Sequence, residues 1–111
     1  MTIEDERIGS ALYFISNSIS ESFDVDAIAR HVGVSRRWLE FRFRKELGKS
    51  PYQYVLDQRL EYARRLLSTD PKAKIHQVAR QSGFGSAKQF TVVFQGRYEI
   101  TPRDYRKSLN R

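Results

Sequence analysis

Between Ser35 and Lys49 the chain carries Arg36, Arg37, Arg42, Arg44, Lys45 and Lys49 against Glu40 and Glu46. That is six cations to two carboxylates, so a net +4 of the formal +7 lies in this one segment. Guanidinium and ammonium groups at this density suit phosphates, and an arginine that reaches a base edge pairs bidentately with O6 and N7 of guanine. Arg37 stands early in the segment and suits that pairing; a phosphate contact or a free surface charge are the alternatives. Glu40 can accept from N4 of cytosine, or can pair at i,i+4 spacing with Arg36 or Arg44 and only orient them. A second segment, 84 to 97, holds only Lys88 and Arg97, and Lys88 suits a phosphate as well as a base. The first segment is therefore expected to supply most of the electrostatic attraction. The second is expected to make fewer, more apolar contacts.

Other chemistries find little support. There is no cysteine, which excludes disulfides, thiolate metal sites and a cysteine nucleophile. His31 and His76 are the only histidines, and neither has a neighbour at metal-ligand spacing. His31, at the end of a helix, is expected to act as a C-terminal cap. No Ser–His–acid set is present, and Gly83-Phe84-Gly85 follows no strand, so it reads as a turn and not a phosphate loop. We expect no enzyme, no catalytic residue, no metal and no cofactor. Lys plus Arg outnumber Asp plus Glu by 20 to 13, which points to a polyanionic partner, nucleic acid ahead of an anionic membrane. With 40% hydrophobic residues the chain can build a core. No apolar run approaches bilayer length, and the polar start MTIEDERIGS is unlike a signal peptide, so a cytoplasmic location is expected.

The elements that position these residues read as helices. Thr2 followed by Asp5 resembles a capping box opening a helix from about Ile3 to Ser16, with Ile8, Leu12, Ile15 and Ile19 on one stripe. Asp24 can cap a second helix that buries Val25, Ile28, Ala29 and Val32, and Gly33 permits the positive φ of a tight turn. Ser35 caps the third helix, whose Leu39 and Phe43 face inward with Leu47 one turn on. Trp38 adjoins that stripe and is expected in the core, not as a stacking platform. Arg36, Arg37, Glu40, Phe41 and Arg44 are left on the other side, and Gly48 ends the helix. Ser50-Pro51 starts a fourth helix that runs to about Leu67, with proline at the first turn where its missing N–H costs nothing. A short apolar helix, a glycine turn, a serine cap and a basic helix is the order of parts in a helix-turn-helix.

The chain then repeats itself. Ala79 lies 50 residues after Ala29 and Gly83 50 after Gly33, and Phe84 matches Val34. After one inserted residue the offset is 51: Phe90 matches Leu39, Phe94 matches Phe43, Thr101-Pro102 matches Ser50-Pro51 and Tyr105 matches Tyr54. Two copies are too few for a solenoid, and two copies joined by one long helix suggest a bipartite reader.

The run from Ala79 to Arg106, AxxxGFxxxxxFxxxFxxxxxxxTPxxYR, resembles the C-terminal signature of arabinose-regulator-type (AraC/XylS) transcription factors, and the resemblance extends from about Ile8 to Arg106. It implies an all-α, homeodomain-like fold of seven helices. Two helix-turn-helix subdomains, residues 1–50 and 68–111, would be joined by a long central helix, 51–67. It also implies a DNA-binding regulator of transcription whose base contacts come from the front of each third-type helix. Those positions are Arg36, Arg37, Glu40 and Phe41 in the first copy, and Ala87, Lys88, Thr91 and Val92 in the second. Phosphate contacts are expected at caps and helix starts, hence Ser35, Ser50, Ser86 and Thr101, with the basic neighbours Arg44, Lys49 and Arg97.

Three departures from the family pattern alter expectations. Phe41 stands where arginine is frequent, which suits a thymine methyl better than guanine. Gln95 replaces a basic residue after Phe94. Glu99 takes the place of a helix-ending glycine while Gly96 lies inside the helix, so a less well formed helix end and a weaker second reader are expected. The partners implied are double-stranded DNA, RNA polymerase and an effector domain outside this chain. An interaction module on RNA polymerase or a partner subunit, and a non-specific nucleic-acid binder, are the competing readings.

Overall fold

The structure, a computed structural model, describes residues 5–109 of the chain. Among these residues there are seven α-helices and no strand: α1 (Glu6–Asn17), α2 (Val25–Val32), α3 (Arg36–Leu47), α4 (Pro51–Thr69), α5 (Ile75–Gln81), α6 (Ala87–Tyr98) and α7 (Pro102–Ser108). The chain divides into two compact units, with the boundary between Gln58 and Arg59. That boundary falls inside α4, one unbroken helix about 28 Å long at 1.5 Å per residue. It therefore contributes Val55 to the first core, and Leu60, Ala63 and Leu67 are buried on its second half.

In the first unit Ile8, Ala11, Ile15, Val25, Ile28, Ala29, Leu39, Phe43 and Val55 form one buried cluster, with Trp38, Leu47 and Tyr54 packed on its flank. The expected buried positions agree apart from Leu12, Ile19 and Val32, which are only half-buried: Ala11 sits on the α1 stripe instead, α1 ends before Ile19, and Val32 is the last residue of α2. The start of α1 differs too. Asp5 is itself the N-cap, extended at φ −95° and accepting from the Arg7 backbone N–H at 2.8 Å, so the helix opens at Glu6 and not Ile3. A residue cannot both cap and continue a helix, and the Thr2 half of the expected capping box lies outside the described residues. In the second unit α4 runs two residues past the expected Leu67.

The turn chemistry follows the expectation closely. Gly33 adopts φ +82°, and both its N–H and that of Val34 bond to the Ala29 carbonyl. In the second unit Phe84 N–H bonds to the Ala79 carbonyl at 2.9 Å, with Gly83 at φ +87°. The inserted residue is Gly85, whose N–H donates to the Gln89 side chain while Ser86 takes over the capping role of Ser35. The repeat also extends to packing: Phe43 meets Tyr54 edge-on at 5.8 Å, and Phe94 meets Tyr105 edge-on at 5.8 Å.

One expectation is corrected. The end of α6 is as well closed as that of α3: Glu99 adopts φ +61° and its N–H bonds to the Gln95 carbonyl at 2.8 Å, as Gly48 at φ +75° bonds to Arg44 at 3.1 Å. A non-glycine residue in this region costs on the order of 1 kcal/mol. The surrounding packing overrides that cost. Phe94 contacts the Tyr98 ring at a tilt just before the turn and the Tyr105 ring edge-on just after it, Pro102 is buried, and Thr101 caps α7.

Candidate nucleic-acid interface

Helix α3 carries the first candidate face. With Leu39 and Phe43 fully buried, helical geometry turns Arg37, Phe41 and Arg44 outward, and all three are exposed. The side chains of Arg37 and Arg44 have no hydrogen bond or ion pair to any described residue, so their guanidinium donors are available to an outside acceptor. Arg36 differs: it contacts Asp26 at 3.4 Å and Glu40 at 3.7 Å. Glu40 thus takes the orienting arrangement with Arg36, and Asp26 on α2 adds a second brace. Lys45 stands 5.9 Å from the centre of the Phe41 ring.

Two of the six cations in this segment face structural tasks. Arg42 bridges Asp5 at 3.4 Å and Glu46 at 3.2 Å, and lies 5.4 Å from the Trp38 ring centre, with Arg7 over the same ring at 4.3 Å. Trp38 packs on the core's flank and is half-buried, not enclosed in the core as expected, with two guanidinium groups close to its ring. Hydrogen bonds from the Arg7 side chain and backbone hold the Asp5 carboxyl below its usual pKa. Lys49 bonds to Asp57 at 2.8 Å, and Gln53 bonds to the same carboxylate. The attraction of this face therefore rests on Arg37, Arg44 and Lys45, with Arg36 braced beside them. Asp26 and Asp57 were not singled out from the sequence, and Asp5 only as half of a capping box, because their ion-pair partners lie in other turns and helices and no periodicity announces them.

Helix α6 carries the second face. Phe90 and Phe94 are buried, Lys88 and Val92 are exposed, and Ala87 and Thr91 are half-buried. Arg97 is exposed with its guanidinium 5.5 Å from the Tyr98 ring. The four hydroxyls expected at phosphates are all N-caps: Ser35, Ser50, Ser86 and Thr101 accept from Trp38, Gln53, Gln89 and Asp104 backbone N–H groups at 3.0–3.1 Å. Accepting there leaves each hydroxyl its own O–H to donate. His31 lies in the last turn of α2 with its ring stacked on Phe14 at 4.5 Å, an aromatic contact where a cap was expected. Among the described residues no group of three or more His, Asp or Glu side chains is placed to hold a metal ion, and no helix is long and apolar enough to cross a membrane.

Residues 28–108 match the family described as a helix-turn-helix domain. A solved transcriptional regulator from Chromobacterium violaceum, described as containing an AraC-type DNA-binding domain, superposes with a TM-score of 0.85 at 36% identity, over 94% of this chain and 92% of that one. The chain belongs to the AraC-type helix-turn-helix family. The DNA-binding domain of AdpA, a global transcriptional factor solved in complex with a target DNA, gives a TM-score of 0.86 at 30% identity over 95% of this chain and 93% of that one. The xylose operon regulatory protein of Escherichia coli K12 is 31% identical over 95% of this chain, but this AraC-type domain spans only 26% of that protein's length.

Proposed function

We propose that this AraC-type domain binds duplex DNA sequence-specifically and regulates transcription, one chain reading two successive major-groove segments. The observation that carries the reading is the pair of matched faces. Each is set by two buried side chains one turn apart, and each leaves a cation and an apolar residue exposed at the same register, Arg37 with Phe41 and Lys88 with Val92. Unpaired Arg37 suits guanine; Arg36, oriented by Glu40, and Ala87 and Thr91 complete the two base-reading sets. Phosphate contacts are assigned to Ser35, Arg44, Ser50, Ser86, Arg97 and Thr101, with Lys49 adding a hydrogen bond but no net attraction, since Asp57 matches its charge. The AdpA domain, solved with a target DNA, supports DNA as the partner.

The relatives' greater length supports an effector domain outside this chain, and their regulatory role supports RNA polymerase as a protein partner and the cytoplasm as the place of action. Enrichment of a randomised duplex library on the domain tests the reading. A recurrent motif is expected. An unenriched pool would reveal a non-specific binder, and polymerase binding that survives replacement of Arg37 and Arg44 without any motif would reveal an interaction module.

A further inference from the structure

Phe41 is 62% exposed and Val92 is 64% exposed, and these are among the few large apolar side chains left in water. They occupy the same place in the two copies, 51 residues apart, four after the exposed cation Arg37 or Lys88 and two before the buried Phe43 or Phe94. Neither position supports the fold: each lies on the side of its helix away from the buried pair. Exposed Phe and Val cost free energy in water, and a single such residue needs no explanation. Two at one register, each next to a cation on a base-reading face, do.

We propose that Phe41 and Val92 are thymine readers, each covering the 5-methyl group of a thymine at the same offset within its half-site. This rests on the DNA-binding reading and deepens it, by naming one base in each segment. In the major groove the methyl is the apolar feature that distinguishes thymine, and an aliphatic or aromatic side chain can cover it without leaving a polar group unpaired. An acidic or amide side chain there would need a hydrogen-bonding base edge. Charge complementarity selects the occupant: Arg37, Arg44 and Lys45 surround Phe41, and Lys88 stands one turn from Val92, which suits a polyanion and opposes docking of a purely apolar partner.

The test uses the enriched duplex with each thymine replaced in turn by deoxyuridine, which removes only the methyl. Affinity is expected to fall about three- to fivefold, the worth of one buried methyl, at one position in each segment and hardly at all elsewhere. In Phe41→Ala the loss at the first position is expected to disappear while that at the second persists, and Val92→Ala should do the reverse. Both side chains are exposed, so unchanged melting curves will show that the variants fold. Equal affinity for thymine and deoxyuridine throughout, or full discrimination in both variants, would overturn the proposal while leaving specific binding intact. Failure to obtain any enriched duplex would instead strike the DNA-binding reading on which it rests.

Discussion

Arg36 is braced by Asp26 and Glu40, while Arg37, its neighbour in sequence, is exposed and unpaired. An exposed arginine without a protein partner has its full set of donors to give, and a bidentate pair with guanine is worth roughly 1–3 kcal/mol of discrimination. Arg37→Ala is accordingly expected to weaken specific binding by about that amount and to relax preference at one base pair, with no change in melting temperature. An unaltered base preference in a position-by-position binding assay would reject the assignment. Lys88 holds the equivalent place but is a point charge without the planar fork, so Lys88→Ala is expected to lower affinity more evenly across sequences. The division between Arg36 and Arg37 was only half legible in the sequence. The i,i+4 partner Glu40 could be counted along the helix, whereas Asp26 approaches from α2 and belongs to the fold.

At the scale of elements, two of the helix ends that close in the left-handed region, Gly33 and Glu99, make opposite predictions. Gly33 at φ +82° has open space where a Cβ would stand, so strain and not collision opposes substitution. Gly33→Val is expected to destabilise the first unit by about 1–3 kcal/mol, seen as an earlier denaturant midpoint. An unchanged midpoint would argue against the turn. Glu99 endures the same region with a side chain, so Glu99→Gly is expected to be neutral to stabilising, by up to about 1 kcal/mol. Gly96 is helical and exposed with nothing near its absent Cβ, so Gly96→Ala is expected to add about 0.5–1 kcal/mol. The glycine turns, serine caps and buried pairs were legible because each is a local requirement of residue type and spacing. The closure at Glu99 was not, because the edge-on Phe94–Tyr105 contact that ties α7 back onto α6, and the burial of Pro102, are tertiary.

Asp5 gives the first unit an acid-sensitive brace. Its carboxyl is held below 3.8 chiefly by the Arg7 side-chain hydrogen bond, so its contribution is present above the unfolded-state pKa and is lost as pH falls through the lower native value. The only tryptophan, Trp38, lies under Arg7 and Arg42 and reports that region by fluorescence. Asp5→Asn is expected to be less stable than the unsubstituted protein at neutral pH, the gap closing as the pH falls below that native value. A gap independent of pH would show that the charge is not what matters.

At the scale of the whole molecule, a duplicated unit with two non-identical faces is expected to recognise an asymmetric site, and the concentration of cations on α3 to make binding steeply salt-dependent, log K falling by about 0.9 per phosphate neutralised for each decade of salt. The duplication was visible in the sequence as offsets of 50 and 51 residues, and the structure extends it to paired hydrogen bonds at Ala29 and Ala79. What no offset could reveal is which charges remain for DNA once Arg42 and Lys49 have bonded within the fold. The most direct test is to measure affinity for every single-base variant of the enriched duplex, with the unsubstituted domain, Arg37→Ala and Lys88→Ala. Two clusters of sensitive positions about one helical turn, roughly 10 base pairs, apart are expected, with Arg37→Ala flattening one and sparing the other. A single cluster, or one flattened equally by both substitutions, would contradict two independent readers in one chain.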